Sequence, residues 1–259
     1  MIDAAIAAAG AITEIYRGEF EATRKPDDSP VTEADTRAED IILERLAPLG
    51  LPVLAEESAA AGRIPELGKR FFVVDPLDGT REFLKRNGEF TVNIALCEHG
   101  RPIYGVVLAP ATGMTYWGGP DGAFNGILSH GGIHGHHRCE VSTEGPLRIV
   151  ASRSHGNPLV HRLTEKMNVV ADVSVGSSLK FGLLATGAAE LYPRLGQTSE
   201  WDTAAGQAVL EAAGGVVLEL DGRPLSYGHA ERKYLNPPFV AASSRALALE
   251  TIEHIRELA

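Results

Sequence analysis

The chain contains very little cysteine: Cys97 and Cys139 are the only two among 259 residues, and they stand in no pair motif. A disulfide framework is therefore not predicted, and a reducing cytoplasm fits this scarcity. No apolar run approaches the ~20 residues that a membrane-spanning helix needs. The opening Met1-Ile2-Asp3 lacks the basic region of a signal peptide. We expect a cytoplasmic protein without an integral membrane segment, with peripheral association at the inner membrane left open.

Runs of Lys and Arg are also absent, so nucleic acid is not a predicted partner. The 24 basic and 34 acidic residues give a formal net charge of 24 − 34 = −10. If the substrate is anionic, bound divalent cations must overcome this repulsion. The composition is ordinary for a globular protein. We expect one domain over residues 1–259, built of two halves at about 1–145 and 146–259, and the oligomeric state stays open.

One stretch organises the rest of the chain: an apolar run over residues 71–74 followed by Asp75-Pro76-Leu77-Asp78-Gly79-Thr80. The run reads as a buried strand that should stop at Asp75-Pro76, because Pro has no amide hydrogen for a ladder. Two carboxylates then reach the rim of a sheet, where they can bind a hard cation such as Mg²⁺. Amides at the Gly79-Thr80 turn can hold a phosphate. A plain strand and β-turn is an equally open interpretation.

Carboxylates recur at other element ends. Glu56-Glu57 follows a short apolar strand that ends at Ala55, and Asp202 lies at the start of an Ala-rich helix. Asp35 lies in the first turn of a helix for which Thr32 is a plausible N-cap. Simple capping or dipole complementation also explains Asp35 and Asp202. The recurrence, rather than any single residue, favours a metal site.

The remaining pattern predicts a layered α/β fold. Residues 2–16 read as a helix, residues 17–30 as a loop or loose hairpin, and residues 89–117 as an antiparallel meander. The second half alternates strand and helix, and a small-residue turn at Gly176 offers an oxyanion cradle. For the His-rich residues 118–139 we favour a solvated loop or irregular hairpin, since their spacing matches no zinc pattern.

Three motifs in this order are highly specific: Glu56-Glu57-Ser58, Asp75-Pro76-Leu77-Asp78-Gly79-Thr80 and Trp201-Asp202-Thr203-Ala204-Ala205-Gly206. Together they resemble the inositol monophosphatase superfamily of metal-dependent, lithium-sensitive phosphatases. Residues 29–35, 87–96, 176–181, 191–194 and 235–237 resemble its bisphosphate-nucleotidase branch, with a role in sulfur assimilation. Two segments depart from that pattern. Residues 59–62 look more like the inositol-phosphatase branch, and the His-rich stretch is the other departure.

The resemblance implies an αβαβα sandwich with a mixed or antiparallel N-terminal sheet and a smaller C-terminal α/β half. It also implies two Mg²⁺ ions, possibly three, held mainly by the first half, with one ligand from the second. The implied metal ligands are Glu56, Asp75, the Leu77 carbonyl, Asp78 and Asp202. The implied catalytic residues are Asp35 and Thr80, which orient the attacking water, with Glu57 close by.

The implied activity is hydrolysis of the 3′-phosphate of adenosine 3′,5′-bisphosphate, or of its sulfated form, by metal-activated water. The alternatives are an inositol or sugar monophosphatase and, more remotely, a non-catalytic nucleotide- or metal-binding protein. A haloacid-dehalogenase mechanism fits less well, because two residues separate Asp75 from Asp78. The candidate substrate contacts are Glu56, Leu77, Asp78, Gly79, Thr80, Arg153, His155, Ser177, Ser178, Lys180, Tyr192, Arg194, Asp202, Lys233 and Asn236.

Overall fold

The structure is a computed structural model that describes residues 1–24, 30–150, 158–173 and 175–259. Two of the predicted substrate contacts, Arg153 and His155, lie outside these ranges, as does part of the 29–35 motif. Among the described helices, none combines the length and the apolar character needed to cross a membrane.

The described helices are α1 Ile2–Arg17, α2 Glu33–Leu46, α3 Glu56–Ala60, α4 Thr80–Leu84, α5 Pro158–Lys166, α6 Leu179–Ala185, α7 Ala204–Ala212 and α8 Arg245–Leu258. Short 3₁₀ turns occupy Ala47–Leu49, Glu200–Asp202 and Ala230–Arg232. The first strands are β1 Ala22–Arg24, β2 Pro30–Thr32, β3 Val53–Ala55, β4 Arg70–Asp78, β5 Thr91–Glu98, β6 Arg101–Leu108, β7 Met114–Gly119, β8 Gly122–Ser129 and β9 Gly132–Cys139. The later strands are β10 Arg148–Ile149, β11 Ala171–Asp172, β12 Leu191–Arg194, β13 Thr198–Ser199, β14 Val216–Glu219, β15 Leu235–Asn236 and β16 Phe239–Ala242.

The first half builds a seven-stranded sheet in the order β3-β4-β5-β6-β7-β8-β9. Strands β3 and β4 are parallel, and the others form the antiparallel meander that the alternation predicts. Helices α1 and α2 cover one face of this sheet, where Ile12, Ile42 and Phe72 join one core cluster. Helix α7 packs on the other face so closely that a Cβ at Gly105 would lie 2.2 Å from the Ala205 carbonyl oxygen.

The second half builds a mixed five-stranded sheet in the order β11-β10-β12-β16-β14. Helices α6 and α7 lie between the two sheets, and α5 and α8 cover the outer face of the second. Burial of each apolar sheet face against helices accounts for this stacking. The αβαβα sandwich predicted from the resemblance is therefore confirmed.

Strand β4 differs from the prediction that it stops at Asp75-Pro76. It continues to Asp78, with an irregular register between Asp75, opposite Asn93, and Asp78, opposite Thr91. The bulge makes room for Pro76, which has no amide hydrogen to donate to a ladder. The same bulge turns the chain so that both carboxylates leave the strand close together.

For two other segments the sequence left a choice between a loop and a hairpin, and the structure shows which one forms. Residues 17–32 contain the antiparallel pair β1–β2, so the hairpin interpretation holds for the residues described there. The His-rich stretch forms the hairpin β8–β9 with a register irregularity at Asn125 to Ile127, as the irregular-hairpin interpretation predicts. The short pair β13–β15 was not expected, because two-residue strands leave no periodicity in the sequence.

Candidate active site

Three carboxylates from different parts of the chain meet at one point. Asp75 and Asp78 come from the bulged end of β4, and Asp202 comes from the 3₁₀ turn before α7. One carboxylate oxygen of each lies within 4.8 Å of those of the other two. Asp75 is buried, although carboxylates are rarely buried without a partner. The two halves of the chain therefore share this cluster.

The protein holds each of these carboxylates by one oxygen. The Leu77 amide donates to Asp75 Oδ1 at 3.0 Å, and the Ser199 amide donates to Asp202 Oδ2 at 2.8 Å. Asp78 Oδ2 accepts from serine hydroxyls of the Gly176 turn. Hydrogen bonds of this kind orient a ligand so that its other oxygen faces the metal.

The cluster concentrates negative charge where water is scarce. Burial first, and then the charges of Glu56, Asp78 and Asp202, raise the pKa of Asp75 well above its ordinary value. Burial, together with the charges of Asp78 and Glu56, raises the pKa of Asp202 to about 8. Glu56 also shares a side-chain hydrogen bond with Asp75, which requires a proton between the two carboxylates. A divalent cation would replace that proton and neutralise the crowding, so the donor set fits a hard cation.

Asp35 and Thr80 meet beside this cluster, as the resemblance implies. The Thr80 hydroxyl donates to Asp35 Oδ1 at 2.9 Å, and the other oxygen of Asp35 accepts from the amide and hydroxyl of Thr32 at 2.8 and 2.7 Å. Thr32 caps α2 as predicted, and Asp35 completes its capping box. Capping thus fixes the Asp35 carboxylate, and the same residue meets Thr80, its predicted catalytic partner.

Gly79 explains how the chain reaches Thr80. Its φ of 95° is left-handed, and an added Cβ would lie 3.2 Å from the Glu89 carbonyl oxygen. A residue with a side chain would therefore be both strained and crowded at this position. Helix α4 begins directly after it, which turns the Thr80 side chain back toward α2.

Glu39 is a buried residue beside the site that the sequence interpretation missed. It is buried on α2, one turn after Asp35. Its carboxylate accepts from the Glu57 amide at 2.7 Å, the Ser58 amide at 2.8 Å and the Ser58 hydroxyl at 2.6 Å. It therefore caps the start of α3, where Glu56 and Glu57 lie. The i, i+4 spacing from Asp35 was the available signal, since such residues share a helix face.

A cavity beside the cluster is lined by Lys180, Tyr192 and Arg194 as well as by Asp78 and Asp202. Lys180 is buried, donates to the Ser177 carbonyl at 2.8 Å and lies 5.5 Å from the centre of the Tyr192 ring. Burial, opposed by the charge of Asp78 and reinforced by that of Arg194, lowers the pKa of Lys180 to about 8. Arg194 Nε is buried without a hydrogen-bond partner in the described part of the chain. The cavity therefore offers cationic donors beside an acidic cluster.

Other predicted substrate contacts have roles within the protein. The Asn236 amide nitrogen lies 3.1 Å from Thr198 Oγ1, 2.7 Å from the Ser199 carbonyl and 2.9 Å from Thr203 Oγ1, around the turn that carries Asp202. Lys233 is exposed with a left-handed φ of 54° and does not line the cavity beside the cluster.

Glu200 was also missed, although it directly precedes the Trp201-Asp202 motif. It is fully buried, and its carboxylate accepts from the amides of Gly228 at 2.5 Å and His229 at 2.9 Å. Burial raises its pKa, and those two backbone hydrogen bonds oppose the shift. Glu200 therefore anchors the loop that leads to Lys233 and Asn236.

Comparison with known proteins agrees with this geometry. The model of the inositol monophosphatase family matches residues 1–259. The 3′(2′),5′-bisphosphate nucleotidase CysQ of Salmonella typhimurium is 44% identical over 236 residues, which are 90% of this chain and 94% of that protein. CysQ of Haemophilus influenzae is 32% identical over 246 residues, covering 93% and 90%. The crystal structure of CysQ from Bacteroides thetaiotaomicron matches with a TM-score of 0.78 at 37% identity, covering 93% of this chain and 94% of that one. The chain belongs to the inositol monophosphatase family and has its phosphatase fold.

Proposed function

We propose that the chain is a Mg²⁺-dependent phosphatase that converts adenosine 3′,5′-bisphosphate to AMP and phosphate, and acts likewise on the sulfated form of that nucleotide. One observation carries the proposal: Asp78 and Asp202 of the carboxylate cluster line the same cavity as the cationic side chains of Lys180 and Arg194. A substrate with one phosphate to cleave and one to retain matches this pairing of opposite charges. The names of the CysQ relatives support the same substrate class.

The residues proposed to hold Mg²⁺ are Glu56, Asp75, the Leu77 carbonyl, Asp78 and Asp202. Two ions, with room for a third, are proposed from the resemblance to the family. Bound Mg²⁺ supplies Lewis-acid polarisation of the phosphate and lowers the pKa of water. Asp75 lies beside both Glu56 and Asp78, so it would hold metal together with both of them.

Asp35 and Thr80 are proposed to orient the attacking water. The Thr80 hydroxyl donates a hydrogen bond to Asp35. The lone pairs on its oxygen can therefore accept a hydrogen bond from a water molecule. The Asp35 carboxylate can take the proton that the water loses, relayed through the hydroxyl. Glu57, at the start of α3, is proposed to lie close to the same water. The amides that follow Leu77, including those of Gly79 and Thr80, are proposed to bind the cleaved phosphate.

Lys180 and Arg194 are proposed to bind the phosphate that is not cleaved. Tyr192 lies under the Lys180 ammonium and supports it by a cation–π contact. The further proposed contacts to the nucleotide are Arg153, His155, Lys233 and Asn236. Ser177 lines the cavity together with Lys180 and Arg194, and Ser178 follows it in the chain.

Phosphate release from adenosine 3′,5′-bisphosphate, inositol 1-phosphate and fructose 1,6-bisphosphate, measured side by side, tests the proposal. We expect the nucleotide to have the highest kcat/KM. Lys180→Ala should lower that value by on the order of ten- to a hundredfold, since a charge-assisted hydrogen bond contributes about 1.5–3 kcal/mol. The kcat/KM of the same variant for inositol 1-phosphate should change little. A preference for inositol 1-phosphate would instead assign the chain to the inositol-phosphatase branch.

Three remaining proposals rest on composition and resemblance. We propose one domain whose halves, about 1–145 and 146–259, each contribute to the site, as the shared cluster supports. A cytoplasmic location agrees with the scarcity of cysteine. Inhibition by Li⁺ is proposed from the family resemblance, and a Li⁺ titration of the phosphate-release assay tests it.

A further inference from the structure

Ser177 and Ser178 direct their hydroxyls into the carboxylate cluster. Asp78 Oδ2 lies within hydrogen-bond distance of both hydroxyls, at 2.8 Å from Ser177 Oγ and 2.9 Å from Ser178 Oγ. The amide nitrogen of Asn93, on β5, lies 3.4 Å from the same oxygen and 2.9 Å from Ser178 Oγ. All the side-chain hydrogen bonds described for the Asp78 carboxylate therefore end on one oxygen, which leaves Oδ1 for the interior of the cluster.

Ser178 also connects the two halves of the chain. Its Oγ lies 2.7 Å from the carbonyl oxygen of Asp202, the ligand that the second half contributes. The single hydroxyl hydrogen can point to Asp202 or to Asp78, and Asn93 occupies a lone pair of the same oxygen. Ser178 is buried, so water does not compete for these contacts. One serine thus lies within hydrogen-bond distance of two proposed metal ligands, at the carboxylate of Asp78 and at the backbone carbonyl of Asp202.

The backbone of the turn is held in an unfavourable conformation. Ser177 has a left-handed φ of 55°, which is uncommon for a residue with a side chain. The Glu89 carboxylate accepts from the Gly176 amide at 2.9 Å, and Thr91 Oγ1 lies 2.5 Å from Ser177 Oγ. A strained residue persists where its surroundings over-determine it, and such residues cluster at functional sites. Here the surroundings fix the direction of the serine hydroxyls.

We infer that Ser177 and Ser178 are positioning residues that set the geometry of Asp78 and Asp202 for divalent-metal binding. This inference rests on the proposed metal site. It goes beyond the proposed function by giving these hydroxyls a role other than contact with the nucleotide. Their hydrogens are committed to protein acceptors, so they are poor donors to a substrate. Loss of an outer partner of a metal ligand typically costs ten- to a hundredfold in affinity.

The test measures metal affinity without substrate. Chelator-treated wild type, Ser177→Ala and Ser178→Ala are titrated with Mn²⁺ as the probe, and free Mn²⁺ is read by electron paramagnetic resonance. We expect each variant to bind Mn²⁺ about ten- to a hundredfold more weakly. Ser129→Ala, at the β8–β9 turn of the far sheet edge, is the matched control and should bind like wild type. Thermal melts in chelator establish that each variant is folded.

A second readout separates positioning from substrate contact. In phosphate-release assays the variants should need about ten- to a hundredfold more Mg²⁺ for half-maximal rate. The KM for the nucleotide at saturating Mg²⁺ should stay within about twofold of wild type. If Ser177→Ala does not fold, Ser177→Gly replaces it, because glycine accepts the left-handed φ without strain.

Unchanged Mn²⁺ affinity in both serine variants would overturn the inference, and so would failure of the wild type to bind Mn²⁺. A raised KM for the nucleotide with normal metal affinity would also overturn the inference, because it would show that the serines contact the substrate. If metal affinity falls but no nucleotide is hydrolysed, the inference stands and the proposed substrate fails.

Discussion

Two pairs of carboxylates in this molecule behave differently. Asp35 and Glu39 lie one turn apart on α2, and each is surrounded by amide and hydroxyl donors. Asp75 and Asp202 lie close together and face other carboxylates, which raises the pKa of both. Protein donors reach both oxygens of each carboxylate in the first pair. Asp75 and Asp202 each accept from one backbone amide, and they need a proton or a cation as well to offset the neighbouring carboxylates. Burial alone therefore does not identify a metal ligand; the groups that face the carboxylate do.

Asp75→Asn should have the largest effect and should separate the two kinds of carboxylate. Activity should fall by more than the ~100-fold that loss of an outer partner costs, because a proposed bridging ligand is lost. The metal-free variant should nevertheless melt above the metal-free wild type, because one of the crowded charges is gone. Phosphate release and thermal melts in chelator measure the two effects. A variant that is both inactive and less stable without metal would contradict the crowding argument.

Glu39→Gln should have the opposite signature. The side-chain amide of the variant points an N–H donor at the backbone N–H of Glu57 or Ser58, and two donors cannot form a hydrogen bond. The free energy of unfolding should therefore fall by about 1.5–3 kcal/mol with or without metal. That corresponds to a Tm lower by roughly 2–4 °C for each kcal/mol. Urea unfolding measures the loss, and the exposed neighbour Asp40→Asn serves as the control. A variant as stable as that control would show that the Glu39 carboxylate is not required to cap α3.

The layered fold was predictable because its periodicities are local, and the acidic cluster of Asp75, Asp78 and Asp202 was predictable because its motifs resemble those of a known family. An apolar run followed by Asp75-Pro76-Leu77-Asp78 indicates, within a few residues, a strand that carries two carboxylates. Glu39 and Asn93 were not predicted, because each acts on residues distant in the chain: Glu39 caps the helix that begins at Glu56, and Asn93 reaches Ser178. The sequence shows which residues are polar within a buried element, but the partner is set by tertiary packing. The extension of β4 through Pro76 was missed for a similar reason, since only the facing strand reveals a bulge.

The metal-free protein should lose stability as pH rises. The pKa of Asp202 is raised from its ordinary value to about 8 in the folded state, and that of Asp75 is raised as well. The folded state therefore holds protons that the unfolded state releases, and stability falls between about pH 4 and 8. Urea unfolding in chelator at about pH 5.5 and 8.5 should show the decline, and added Mg²⁺ should remove most of it. A flat profile, or one that rises with pH, would argue against a charge-crowded cluster.

The smallest expected effect concerns Lys180, whose pKa burial lowers to about 8. Its charge is lost as pH rises through that value, so its attraction for a retained phosphate weakens. About one unit above the pKa roughly a tenth of the side chain stays charged, which limits the rise in KM for the nucleotide to about tenfold. The KM for inositol 1-phosphate should not follow, since that substrate has no second phosphate. Lys180→Arg keeps a cation at every accessible pH and should flatten the profile. If KM rises equally in Lys180→Arg, another group titrates, and the cationic side of the cavity does not depend on the charge of Lys180.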